Sequence, residues 1–174
     1  VYDDEMDQMV VDQADIEEGL SQALEGGDQL RLVYQPVLDA LTGDPVGVEA
    51  LVRWDRPDRG PVSPAEFVPV AERSGLVVDL DLWVLESGLA ELARWATQPA
   101  LDRLGLSVNV SGRSLLEPGF VEQVAATLSE AEVDPQKVTV EVTETALVTD
   151  LELAASQLEA LRSLGVRVAI DDFG

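Results

Sequence analysis

The sequence predicts an α/β fold, and three observations carry that expectation. From Leu104 onward, strand-like and helix-like segments alternate with roughly thirty residues per unit, the rhythm of parallel βαβ construction. Ahead of them stand two strand-like runs joined by turn residues. Hydrophobic residues fill 46% of the 174 positions, enough for one good core.

Taken in order, Val1 to Gly27 is rich in acids and has no base. It spaces Met6, Met9, Val10, Ile16, Leu20 and Leu24 mostly at helical intervals, so a helix ending at the Gly26-Gly27 pair is expected. The narrow apolar stripe suits an acidic helical linker from an upstream domain as well as an integral element. The domain boundary is therefore set after residue 28, with 29–174 as the body.

Leu30 to Leu38 and Val46 to Trp54 read as strands, and Thr42-Gly-Asp-Pro45 between them is turn chemistry, so an antiparallel hairpin is expected. Asp55 to Pro61 reads as a loop. Ser63-Pro-Ala-Glu66 then has the form of a capping box opening a short helix that stops at Gly75. Helices are expected over Val78 to Ala96, Pro118 to Ala131 and Asp150 to Leu164, with strands over Leu104 to Val110, Val138 to Thr143 and Val166 to Ile170.

The composition excludes whole classes of chemistry. Without cysteine or histidine there are no disulfides, thiolate nucleophiles, imidazole bases or zinc sites built on those ligands. Any metal must sit on oxygen donors, which selects hard cations. With 34 acidic against 11 basic residues and a formal charge of -23, the chain repels DNA and anionic membrane alike. Most of that charge reads as solvated surface, yet a small phosphorylated ligand is compatible with it if a divalent ion lies between phosphate and carboxylates. No stretch is long and apolar enough for a membrane span, the start is unlike a signal peptide, and a cytoplasmic location is expected.

The strands carry polar residues where valine would be ordinary. Alternation places Glu49, Leu51 and Arg53 on one face of the second strand, Ser107 and Asn109 on one face of the next, and Thr139 and Glu141 on one face of the following one. The last strand runs into Asp171 and Asp172. Each has a plain alternative: Glu49 as hairpin surface with Arg53 as its partner, Asn109 as a satisfied core amide, Glu141 and Glu144 as favourable charges at a helix start, Asp171 and Asp172 as a polar strand end. Several carboxylates sharing one apolar interior nonetheless need a cation to stay ionised, so together they suggest a cage for a hard metal.

These motifs resemble the EAL domain, the cyclic di-GMP phosphodiesterase module. Glu49-Ala-Leu51 followed by Val-Arg-Trp54 looks like the naming signature. Tyr34-Gln-Pro36, Ser63-Pro-Ala-Glu-Phe67, Val108-Asn-Val-Ser111, Glu141-Val-Thr-Glu144 and Asp171-Asp-Phe-Gly174 follow the family pattern in order. The resemblance implies a modified TIM barrel that begins with an antiparallel strand, and hydrolysis of cyclic di-GMP to linear pGpG with two Mg²⁺ or Mn²⁺ ions. Carried over by motif, Glu49, Asn109, Glu141 and Asp171 hold the first ion, Asp171 bridges to a second bound also by Asp172, and Glu144 anchors the loop after Asp172. Gln35, Leu51 and Arg53 contact the dinucleotide, Arg53 at phosphate. An upstream cyclase-type or sensor domain, including a membrane-anchored one, is implied as partner for the acidic helix.

The family pattern continues past Asp-Asp-Phe-Gly with a lysine, a further glutamate and the closing strands. The expectation here is about five strands of the barrel and weak or no hydrolysis by the 174 residues alone. A non-catalytic cyclic di-GMP receptor is the alternative. So is a fragment that covers its last strand edge by self-association, for example as a homodimer.

Overall fold

A computed structural model describes the backbone of residues 2–26, 28–143 and 150–171, and the side chains of 12–26, 28–143 and 150–170. The long helix α1 (Tyr2–Gly26) leads into strand β1 (Leu30–Leu38). This pairs antiparallel with β2 (Pro45–Arg56), Gln35 opposite Glu49. The turn between them is held by Asp39, whose carboxylate accepts the backbone N–H groups of Leu41 and Thr42 at 2.9 and 2.8 Å. These bonds hold the Asp39 carboxyl below its ordinary range.

The region expected to be a loop, Asp55 to Pro61, is a second hairpin. Strand β2 continues to Arg56 and pairs with β3 (Gly60–Val62), Trp54 facing Val62. Prolines and charges in the turn concealed this extension, which tertiary packing of Trp54 secures. Helix α2 (Pro64–Ser74) begins after Ser63, but the capping box does not form. The Ser63 side chain makes no cap bond, and Glu66 is engaged instead by Arg59. The helix ends at Gly75, whose φ of 93° is a left-handed value that a side chain would strain.

Helix α3 (Val77–Trp95) precedes β4 (Gly105–Asn109), which pairs parallel with β2. A short helix α4 (Gly112–Leu116), between the expected strand and helix, and α5 (Phe120–Ala131) lead through a 3-10 turn to β5 (Val138–Thr143), parallel to β4. Helix α6 (Leu151–Ser163), capped by Asp150 on the Leu153 N–H at 3.1 Å, leads to β6 (Arg167–Asp171), parallel to β5.

The sheet order is β1-β2-β4-β5-β6, with β3 attached to β2. This is an α/β architecture with a mostly parallel sheet, consistent with part of a TIM-like barrel. Its helical side buries Val48 and Ala50 of β2, Leu106 and Val108 of β4, and Val138, Val140 and Val142 of β5 against Leu85, Leu89, Phe120, Val124 and Leu161. Burying side chains of this size contributes roughly 1.5–3 kcal/mol each before chain entropy is subtracted. Strand alternation then forces the residues between them to the opposite face, which is where the site lies.

A second core gathers Ile16, Leu20 and Ala23 of α1 with Trp54, Val62, Phe67, Val70, Ala71 and Leu80. Trp54 and Phe67 meet edge to face at 5.5 Å and 83°, and the Trp54 indole N–H donates to Gln29 Oε1 at 3.2 Å. Among the described residues no helix is long and apolar enough to cross a membrane.

Candidate active site at the strand ends

The polar residues singled out on strands converge. Asn109 closes β4, and its Nδ2 donates to Oε1 of Glu49 on β2 at 2.8 Å. In the β4–β5 ladder Asn109 stands beside Glu141. The Val110 N–H donating to the Glu141 carbonyl at 2.8 Å prolongs that ladder one step. Glu141 pairs with Ala169 and Thr143 with Asp171, so the backbone of Asp171 lies one alternation further along. Asn109, Glu141 and Asp171 thus follow the stagger of neighbouring strands near their carboxyl ends, where sites of parallel α/β sheets form, and Glu49 joins them from the middle of the longer β2. Asp172 and Glu144 lie outside the described residues.

Gln35, register partner of Glu49, is exposed on β1. Leu51 and Arg53 are half-buried and, with Asn109 and Glu141, line a cavity of about 280 Å³. The Arg53 guanidinium donates to the Val52 carbonyl at 2.8 Å. The far wall comes from Pro64, Val68 and Glu72 on α2 and from Leu80 and Asp81 on α3.

Asp81 is the site residue the sequence reading missed. Its Oδ2 accepts both the Ser111 backbone N–H at 2.8 Å and the Ser114 hydroxyl at 2.7 Å. Ser111 in turn caps α4 by accepting the Ser114 N–H at 3.1 Å. One carboxylate oxygen therefore pins the turn that follows Asn109. Burial pushes the Asp81 carboxyl up to about 6, although the bonds from Ser114 and Ser111 oppose the shift; the charge of Glu72 adds to it. The signal was present: Asp81 interrupts the buried stripe Val77, Leu80, Val84 and Leu85 of α3.

The donor set suits a hard cation by its chemistry. Glu49, Asn109 and Glu141 supply carboxylate and amide oxygens with no sulfur or imidazole among them, as Mg²⁺ or Mn²⁺ requires. The Glu49–Asn109 bond employs one N–H and one carboxylate oxygen, so the pair's oxygen donors are not exhausted by it. Among the described residues no three acidic side chains form a cluster by themselves; the described part of the set is two carboxylates and an amide.

The chain is similar in sequence and fold to known proteins. An uncharacterized Mycobacterium tuberculosis protein is 44% identical over 160 residues, which are 92% of this chain and 26% of that protein. A cyclic di-GMP phosphodiesterase of Pseudomonas aeruginosa, PA2567, is 41% identical over 155 residues, 89% of this chain and 26% of its own length. The chain therefore spans about a quarter of the relatives it matches. A MucR phosphodiesterase in complex with cyclic di-GMP superposes with a TM-score of 0.85 at 36% identity, covering 92% of this chain and 64% of that one. The Pseudomonas aeruginosa FimX EAL domain bound to cyclic di-GMP gives 0.81 at 31% identity, covering 92% and 63%. The EAL domain pattern itself matches residues 17–174. By that match and by its fold, the chain belongs to the EAL domain family.

Proposed function

We propose that the protein binds cyclic di-GMP and hydrolyses one of its phosphodiester bonds to give linear pGpG, using divalent ions held by Glu49, Asn109, Glu141 and Asp171, with Asp172 completing the second ion's site. The observation that carries this reading is the Glu49–Asn109 hydrogen bond with Glu141 next in register to Asn109, where Asn109 and Glu141 line a cavity that also presents Arg53. It is supported by relatives named as cyclic di-GMP phosphodiesterases and by neighbours solved with that ligand.

When bound, Mg²⁺ or Mn²⁺ ions would polarise the scissile phosphate and make water a nucleophile at neutral pH. The chain's own residues do the rest. Arg53 supplies positive charge for a phosphate in a strongly acidic molecule. Leu51 offers an apolar surface and Gln35 an amide to the nucleoside parts. By its motif, Glu144 would anchor the loop that follows Asp172. Asp81 fixes the turn after Asn109, so that the amide is presented rather than free to wander.

The test is incubation with cyclic di-GMP and Mn²⁺, with products separated by chromatography and binding followed by calorimetry. Metal-dependent binding is expected, with pGpG formed by the whole protein and weak or no turnover by the 174 residues alone. Absence of binding in the presence of metal would sink the reading, and binding without product by the whole protein would replace the enzyme with a receptor.

A further inference from the structure

Helix α1 is fastened to the rest of the molecule by Arg56, the last residue of β2. The Arg56 side chain is only 9% exposed, and all its N–H groups face oxygen. Nε and Nη2 donate to the two Asp58 oxygens at 3.0 and 2.8 Å. Nη1 and Nη2 donate to the two Asp15 oxygens at 2.6 and 3.2 Å, and Nη1 also reaches the Asp15 carbonyl at 3.3 Å. The guanidinium lies over the Trp54 ring, 5.5 Å from its centre. Gly19 makes room for this: a Cβ there would lie 3.2 Å from both Arg56 Nη1 and the Trp54 ring. Arg59 extends the cluster, standing 3.8 Å from Asp15 and paired with Glu66 on α2.

Behind the clamp, Ile16, Leu20 and Ala23 of α1 share a core with Phe67, Val70 and Ala71 of α2. The other side of α2 presents Pro64, Val68 and Glu72 to the cavity. Helix α1 therefore backs one wall of the site without touching the site.

We propose that the Asp15–Arg56 pair is a latch that seats α1 against α2 and so positions the α2 wall of the cavity. Two features make it a latch rather than a fixed brace. Asp15 is half exposed, so water can replace its bonds at small cost. Asp58 keeps Arg56 paired when Asp15 leaves, so release strands no buried charge. Unlatched, α1 loses the anchor at its middle, the shared core loosens, and α2 is no longer held to one position. Arg56 and Asp15 are positioning residues; neither lines the cavity.

The effect on ligand rests on the function proposed above, but the latch can be judged without it. Asp15→Asn, with Arg56→Lys as a second variant that cannot fork two carboxylates, is compared with the unsubstituted protein by amide hydrogen exchange. Exchange is expected to rise about tenfold over 16–26 and 64–74 while 105–109 and 138–143 stay protected, the pattern of local rather than global opening. Calorimetry with cyclic di-GMP and Mn²⁺ should show affinity weakened about 3- to 10-fold, as a smaller competent fraction requires. Faster exchange confined to α1, or no change in either helix, overturns the latch; loosened α2 with unchanged affinity overturns its hold on the site. If the unsubstituted protein does not bind cyclic di-GMP, the proposed function fails, and the exchange pattern alone decides the latch.

Discussion

Asn109 donates from Nδ2 to Oε1 of Glu49 over 2.8 Å although sixty positions separate them. The bond joins the end of β4 to the middle of β2, its parallel neighbour, and presents a carboxylate and an amide together. Replacing Glu49 with Gln keeps size and removes charge. Hydrolysis of cyclic di-GMP should fall at least about a hundredfold, and Asn109→Ala should weaken Mn²⁺ binding by about 10- to 100-fold. Steady-state turnover and metal titration check both; full turnover by Glu49→Gln would remove Glu49 from the metal set.

Arg53 lines the cavity and donates to the Val52 carbonyl. Arg53→Ala should lose a charge-assisted contact to phosphate worth about 1.5–3 kcal/mol, or roughly 10- to 100-fold in Kd, with thermal stability shifted by less than about 0.5 kcal/mol. Calorimetry beside a melting curve separates the two. An unchanged Kd would move the phosphate elsewhere.

Asp81 gives a pH dependence with a definite sign. Unfolded, its carboxyl releases a proton near the ordinary value of about 4; folded, burial holds it up to about 6. Between those values the native state binds more protons than the unfolded one, so this group's contribution to stability falls as pH rises through about 4 to 6 and is flat above. Asp81→Asn retains an oxygen for Ser111 and Ser114. It should raise stability at pH 8 by about 2–3 kcal/mol relative to pH 4 and flatten that slope. Urea titrations at the two pH values test it, and an equal effect at both would show that Asp81 does not titrate in this window.

Gly47 and Gly105 face each other in the β2–β4 ladder. A Cβ on Gly47 would lie 3.0 Å from the Gly105 carbonyl oxygen, and backbone gives way less readily than a side-chain tip. Gly47→Ala should cost about 1–3 kcal/mol in urea unfolding. A loss under about 0.5 kcal/mol would mean that the strands part there without strain.

Much of the fold was legible because the buried strands are written in valine with period two. Val138, Val140 and Val142 could only face the helices, and so Thr139 and Glu141 could only face away. The same contrast exposed Glu49 and Asn109. What escaped were pairings made only by folding. Asp15 and Arg56 lie 41 positions apart, and each alone is an ordinary surface charge. The extension of β2 past Trp54 escaped likewise, since a run of prolines and charges reads as loop until Trp54 is seen buried beneath α1 and α2.

The long step from β2 to β4 has a kinetic consequence. Gly47 must find Gly105 across two intervening helices, and closing a loop of that length costs roughly 4 kcal/mol of chain entropy beyond a constant. Such non-local pairing slows folding. Glu49 and Asn109 are brought together by that same non-local pairing, so their hydrogen bond depends on the closure of this loop. A cation drawn to that pair would find no site in a half-folded chain, and Mn²⁺ uptake during refolding would time the moment at which the sheet closes over its longest gap.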